Sequence, residues 1–463
     1  MSRKRAKLHH YLIYGVYRAF EGTLRIFPME LVCLIGGLLG NITWLLMPGR
    51  KRTVIRNLQI AFGKELSKQE IKSLCRRTFQ TTGSNMIASI RAVFLSDDEL
   101  NERITFEGRE HVQELINNGE GFIGLLAHMG NWELLAQLQR SRYGIPAFGG
   151  MYRPLDNPLM DRLIKRRREK SGARLFSRRD GFFKPTTHLK EGKPLGIFAD
   201  QHAGKHGVAV PLFGKLTSMT NLPAILHLRT DAPLVPLSVS TVGLGRWKLR
   251  VHPLVQPPAD IEANTKSFVL ATASAYEQVM RDSPMDILWM HNYWRVGNKQ
   301  PLKIDGAKRA PVKPLGTGAS QPFRVLIYAP EQQVTDTALS EICDRLRGSR
   351  IDIHLTVIRE SIPASERFDG HITPPVASDP PYMLTQSIEQ RLNQQTEPID
   401  LALDLTPDAS GAKRIKDASV FPTCALQGPF QAKTTRKAFA SGIPENETER
   451  LSVFLESLGL NAK

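Results

Sequence analysis

One apolar run constrains the fold more than any other stretch. It is GFIGLLA at 121–127, which stops abruptly at His128 before a helical pattern resumes. The run follows the turn-like NNGEG and reads as a buried strand. Beyond it, NWELLAQLQRSR places Trp132, Leu134, Leu135 and Leu138 at near-helical spacing, with Asn131 as the expected N-cap. His128 then sits at a strand end and Glu133 in the first helical turn, within reach of each other. A carboxylate on one ring nitrogen fixes the tautomer and stabilises the imidazolium. The other nitrogen is left to take a proton from a hydroxyl. The same spacing also fits a capped helix that carries a hydrogen-bonded histidine.

The pattern around this run alternates. Strand-like RITFEG precedes the helix REHVQELINN, and later strands are expected at 194–200, 233–239 and 247–255. Alternation of this kind argues for an α/β core with a central sheet covered by helices. Upstream, LSKQEIKSLCRRTFQ at 66–80 opens with a capping box of Ser67 and Glu70 and continues with an apolar stripe. Residues 299–322 are rich in Pro, Gly and Lys and read as a linker. A second α/β pattern follows: strands at 323–329, 351–358 and 399–405, and a helix at 337–348.

The first 60 residues differ from the rest. The stretch 29–47 is long enough to cross a hydrocarbon core of about 30 Å, but Glu30 and Asn41 interrupt it. Arg3, Lys4, Arg5 and Lys7 precede it and Arg50, Lys51, Arg52 and Arg56 follow, so the positive-inside rule gives no orientation. The apolar region starts too late for a signal peptide. This part reads as a membrane-seated helical hairpin or interfacial anchor whose basic residues face anionic headgroups. The formal net charge of +17 favours anionic partners. Zinc-finger spacing, a Walker loop and RNA-binding signatures are missing, which disfavours nucleic acid. Cys33, Cys75, Cys343 and Cys424 are scattered without CxxC spacing and read as small apolar residues in a reducing compartment.

Between 129 and 300, polar groups gather at the ends of the expected strands. GGMYRPLDNP carries Arg153 and Asn157, and the basic helix after it carries Arg168. GIFADQHAGKHGVAVPLFG ends a strand at Asp200 and Gln201, a strand flanked by prolines follows, and ILWMHNYWR closes the series. His202 and His206 lack a metal-ligand setting because glycines interrupt the segment.

With His128 and Glu133, these blocks resemble the four-block pattern of glycerolipid-type acyltransferases, in the version found in the bacterial lipid A late acyltransferases. The resemblance covers roughly residues 10–297. It implies a glycerolipid acyltransferase-like central sheet flanked by helices, N-terminal membrane-seated helices (1–60) and a catalytic domain (61–298). It implies His128 as general base and Glu133 as its orienting partner, with direct attack on a thioester and no acyl-enzyme. Arg153, Asn157, Arg168, Asp200 and Gln201 are the implied substrate-binding residues, with no metal and no cofactor. The implied donor is acyl carrier protein, the acceptor a lipid A precursor, and the location the cytoplasmic face of the inner membrane. Two alternatives remain: a different glycolipid or phospholipid acceptor, and a catalytically inactive membrane scaffold. The family is usually complete by about residue 300, so 323–463 is an additional, smaller α/β unit. FRVLIYAPEQQVTDTALSEICDRLR within it resembles the first strand–loop–helix of heptosyltransferase-type glycosyltransferases, with Thr335 where a glycine usually precedes the loop aspartate. That unit reads as a degenerate or non-catalytic appendage.

Overall fold

A computed structural model describes residues 6–140, 148–170, 172–177, 181–258, 265–295, 302, 320–350, 352–363, 368–373, 398–405, 425–427, 455, 458 and 460. The chain divides into two compact units that interleave along the sequence. Met1–Pro48, Ser73–Gln201 and Thr220–Leu288 form the first, and Gly49–Lys72, His202–Met219 and Trp289–Lys463 the second.

Four helices open the chain: α1 (Leu8–Ile26), α2 (Met29–Leu46), α3 (Pro48–Phe62) and α4 (Lys68–Ala92). The capping box expected at α4 is present: the Ser67 hydroxyl accepts from the Glu70 N–H, and the Glu70 carboxylate accepts from the Ser67 N–H. Helix α2 is long and apolar enough to cross a membrane. One side of it packs backbone to backbone on α4. A Cβ on Gly40 would lie 2.1 Å from the Phe79 carbonyl oxygen, and one on Gly83 2.3 Å from that of Gly36. The opposite side leaves Leu34, Leu38 and Leu45 exposed.

In the first unit, α5 (Asp97–Arg103), β1 (Ile104–Glu107) and α6 (Glu110–Asn117) lead into β2 (Ile123–Leu126). Then follow β3 (Gly149–Tyr152), α7 (Pro158–Lys170), β4 (Arg174–Ser177), α8 (Phe183–Lys190) and β5 (Leu195–Phe198). After the hairpin β6 (Val208–Leu212) and β7 (Lys215–Met219), which belongs to the second unit, come α9 (Leu222–Thr230), β8 (Leu234–Gly243), β9 (Arg246–Val251) and α10 (Thr265–Asp282). Seven strands form one sheet in the order β1-β9-β8-β2-β5-β3-β4. Every neighbouring pair is parallel except β8 with β9. All four residues of β2 are buried, as a central parallel strand covered on both faces requires. The α/β core read from the alternating pattern is therefore present; β5 lies within the expected stretch 194–200, and β8 begins within 233–239 and runs beyond it to Gly243. The helix expected from Asn131 is instead a 3-10 helix, Trp132–Arg140. Asn131 does not cap it: neither polar atom of its side chain has a hydrogen-bond partner.

The second unit has its own sheet, in the order β12-β11-β10-β13-β14 with every pair parallel. Its strands are β10 (Phe323–Tyr328), β11 (Ile353–Ile358), β12 (Gly370–Ile372), β13 (Leu401–Asp404) and β14 (Ala425–Gln427), with α11 (Asp336–Ser349) between the first two. The Thr335 hydroxyl caps α11 by accepting from the Ala338 N–H. Val325, Ile327, Leu339, Leu355 and Leu403 fill the core. Asp400, just before β13, binds Arg56 of α3 and Lys215 of β7, each at 2.6 Å. Apart from Leu302 and residues 320–322, the stretch 299–322 lies outside the described residues, as does Cys424.

Candidate active site

Strands β2 and β5 are parallel neighbours in register, with Leu126 opposite Phe198. Two residues past each strand end, His128 and Asp200 come side by side. Asp200 accepts from the His128 backbone N–H at 3.0 Å through one oxygen and holds the ring Nδ1 at 2.8 Å through the other. The carboxylate thus fixes both the position and the tautomer of the ring, leaving Nε2 free for a substrate proton. Asp200 is only 2 % exposed. The Phe198 ring lies 4.5 Å from the imidazole, centroid to centroid, and Trp132 meets its edge. Burial disfavours the imidazolium, but the Asp200 charge, its hydrogen bond and the nearby Glu133 charge outweigh it and raise the His128 pKa. Tyr276 of α10 ties the two strand ends together. Its hydroxyl accepts from the Ala199 N–H and lies within hydrogen-bond distance of the Leu126 carbonyl.

The loop after His128 is strapped to a second segment. Gly130 N–H donates to the Asp286 carbonyl, and the Leu288 N–H donates to the His128 carbonyl. Asp286 is buried, which raises its pKa, and it accepts from both the N–H and hydroxyl of Thr241, from Ser283 and from Asn85. Gly130 has φ of +54°, and a Cβ there would lie 2.2 Å from the Val239 carbonyl oxygen, so the turn accepts only glycine.

His128 lines a cavity of about 1340 Å³, with walls from α1, α4, α7 and the sheet. Glu133 lines it too, and forms a two-point ion pair with Arg168 at 3.0 and 2.5 Å.

A profile of bacterial lipid A biosynthesis acyltransferases matches residues 2–296. The chain belongs to that family. It is 26% identical over 276 residues to the lipid A biosynthesis lauroyltransferase of Escherichia coli K12, covering 58% of this chain and 86% of that one. It is 25% identical over 285 residues to the lipid A biosynthesis myristoyltransferase of the same organism, covering 60% and 84%. It is also similar to the phosphatidylinositol mannoside acyltransferase of Mycolicibacterium smegmatis, 26% identical over 184 residues, covering 39% of this chain and 60% of the other.

Of the residues that the sequence singles out in this acyltransferase, the fold brings His128, Glu133, Arg153, Arg168 and Gln201 to the cavity wall. The hydrogen bond on His128 that local spacing assigns to Glu133 is made by Asp200 instead. Glu133 lies on a 3-10 turn and faces Arg168, while strand register delivers Asp200 from 72 residues away. Arg153, at the end of β3, is exposed. Asn157 caps α7, its Oδ1 accepting from the Leu159 N–H while its Nδ2 donates to the His10 carbonyl. Sequence reasoning missed Tyr276, the Asp286 strap and the ion pair of Arg167 with the buried Glu21 of α1. ILWMHNYWR marked the segment just after Asp286 but carried no sign of its partner loop.

Proposed function

We propose that this acyltransferase moves a fatty acyl chain from acyl carrier protein to a hydroxyl of a lipid A precursor, with His128 as general base. The observation that carries the reading is the His128–Asp200 pair at the wall of a large cavity, in a chain of this family. The free Nε2 removes the acceptor hydroxyl proton as the oxygen attacks the thioester carbonyl. Asp200 stabilises the imidazolium that forms, and the expelled thiolate then takes that proton. A positioned base contributes roughly 10²–10⁴-fold in rate. Arg168, held by Glu133, and the exposed Arg153 provide guanidinium groups for an acidic acceptor. Gln201 contributes a polar contact, and Asn157 supports α7, which carries Arg168.

The apparatus seats on the cytoplasmic face of the inner membrane through 1–60. The start of α2 and a point in its C-terminal half are tied to polar groups of its own unit, Glu30 to Arg103 and Asn41 to Arg76. A crossing α2 would drag the charged face of α4 into hydrocarbon, so α2 lies with its exposed leucines in one leaflet. Residues 61–298 carry the chemistry, and 323–463 serve as a non-catalytic appendage. The mycobacterial relative favours a second reading, in which the acceptor is another glycolipid.

Purified full-length protein, given lipid A precursor in anionic vesicles, should use acyl carrier protein thioesters in preference to acyl-CoA. Its rate should fall as salt screens the positive surface. Efficient use of acyl-CoA with acyl carrier protein inert overturns the donor assignment, and transfer only to other glycolipids overturns the acceptor.

A further inference from the structure

We propose that Phe148 sets the length of the acyl chain that the cavity accepts. Three glycines stand opposite one another on adjacent strands: Gly124 of β2 pairs with Gly196 of β5, which pairs with Gly150 of β3. Without side chains on this row, a trough crosses the sheet on the face that holds Leu126 and His128. Phe148, immediately before β3, lays its ring into one end. A Cβ on Gly124 would lie 3.0 Å from Leu237 and 3.2 Å from that ring, and one on Gly196 2.7 Å from Leu126 and 3.3 Å from the ring, whereas a Cβ on Gly150 would meet only Leu175, at 3.3 Å. The trough is therefore closed over Gly124 and Gly196 by Phe148 together with Leu237 and Leu126, and least filled over Gly150, where Leu175 alone comes near. The cavity follows that division, reaching Gly150, Gly196, Leu175 and Phe148.

His128 lies four residues along the chain from Gly124, at most roughly 13 Å away at the rise of a strand, since β2 ends at Leu126. A thioester held at His128 points its tail down an apolar trough that ends on the Phe148 ring. A separate sign of a ligand is Asn131, which lines the same cavity, is 1 % exposed and has neither side-chain polar atom hydrogen-bonded. A buried amide left unpaired is costly unless a bound molecule completes it. The head of the ligand thus belongs near Asn131 and His128, and its tail in the trough.

The inference rests on the acyl-transfer reading, and a competition experiment separates the two. The full chain is given an equimolar mixture of acyl carrier protein thioesters from octanoyl to stearoyl, and products are counted by mass spectrometry. Each methylene seated in an apolar groove is worth roughly fourfold. Phe148→Ala removes the ring that closes the end of the trough, so preference for a chain two methylenes longer should rise about sixteenfold over wild type. Phe148→Leu should move it the same way by less. Gly150→Ala, which narrows the open part, should move preference to shorter chains. A change in fold stability alone lowers all products together and leaves their ratios in place. Unchanged ratios in Phe148→Leu and Gly150→Ala, beside an active wild type, overturn the inference alone. A wild type that transfers none of the donors overturns the transfer reading and this inference with it.

Discussion

Two buried aspartates, one in each unit, show how strand ends divide labour. Asp200 follows the C-terminal end of β5, and Asp400 precedes the N-terminal end of β13. Both are almost fully buried, at 2 % and 1 % exposure. Asp200 gives its charge to a histidine that faces a cavity, through one ring nitrogen, and leaves the other for a ligand. Asp400 gives its charge to Arg56 and Lys215, which are themselves sealed, and accepts the Arg324 N–H besides. Burial raises the Asp400 pKa, but Lys215 and Arg56 beside it prevail and hold the carboxyl below its usual range. Burial pushes the Lys215 ammonium down despite that carboxylate. A carboxylate with every partner enclosed can only stabilise, whereas one whose partner meets a cavity can take part in chemistry. In α/β sheets, sites gather at the carboxyl ends of strands.

The largest expected effect breaks the first pair. Asp200→Asn keeps the size of the side chain but removes the charge and disturbs the tautomer, so the rate of transfer should fall by about 10³–10⁴-fold, as in a triad deprived of its carboxylate. The melting temperature should barely move. Activity within a few-fold of wild type would show that His128 needs no carboxylate on Nδ1. His128→Ala should be at least as harmful, with the fold kept.

The matching change in the second unit should act the other way. Asp400→Asn leaves two enclosed cations without a counter-charge, and breaking such a set costs about 3–5 kcal/mol. Chemical denaturation should show this loss in a transition of the second unit. The rate per folded molecule should stay near wild type. If Asp400→Asn cuts the rate at full folding as deeply as Asp200→Asn, the division between the two aspartates fails.

What the sequence made legible follows the same division. Strand β2, the Ser67–Glu70 box and the α/β alternation are local patterns that each segment carries by itself. The blocks around Arg153 and Asp200 are legible as polar groups at expected strand ends, their roles come from the resemblance, and the fold places Arg153 and Gln201 on the cavity wall. The partner of His128 was not legible from spacing. Glu133 is five residues away and Asp200 is 72, and only the register of β2 against β5 shows which reaches the ring. Asn131 looked like a cap because its type and place suit one, yet its side chain bonds nothing. The Arg56–Asp400–Lys215 set joins residues hundreds of positions apart and leaves no local trace.

The smallest expected effect concerns the Glu133–Arg168 pair, which lies between the two extremes. Its side chains are 31 % and 29 % exposed, neither enclosed like those around Asp400 nor aimed at the imidazole like Asp200. Glu133 still acts on His128 through its charge, which helps to raise the imidazole pKa. The base must be unprotonated to accept the hydroxyl proton, so the rate should rise with pH through the His128 pKa, above the ordinary 6.5 of a histidine. Glu133→Gln removes one charge that favours the imidazolium. The acidic limb of kcat/KM should therefore move to lower pH, by less than in Asp200→Asn. The plateau should drop about tenfold, or roughly 1.4 kcal/mol, because Arg168 loses its anchor. Arg168→Lys should lower the plateau by a similar factor and leave the limb in place, since the Glu133 charge remains. A limb that moves to lower pH in Glu133→Gln as far as in Asp200→Asn would mean that Glu133 contacts the imidazole during turnover, as its five-residue spacing suggests; one that moves to higher pH would show that its charge does not favour the imidazolium.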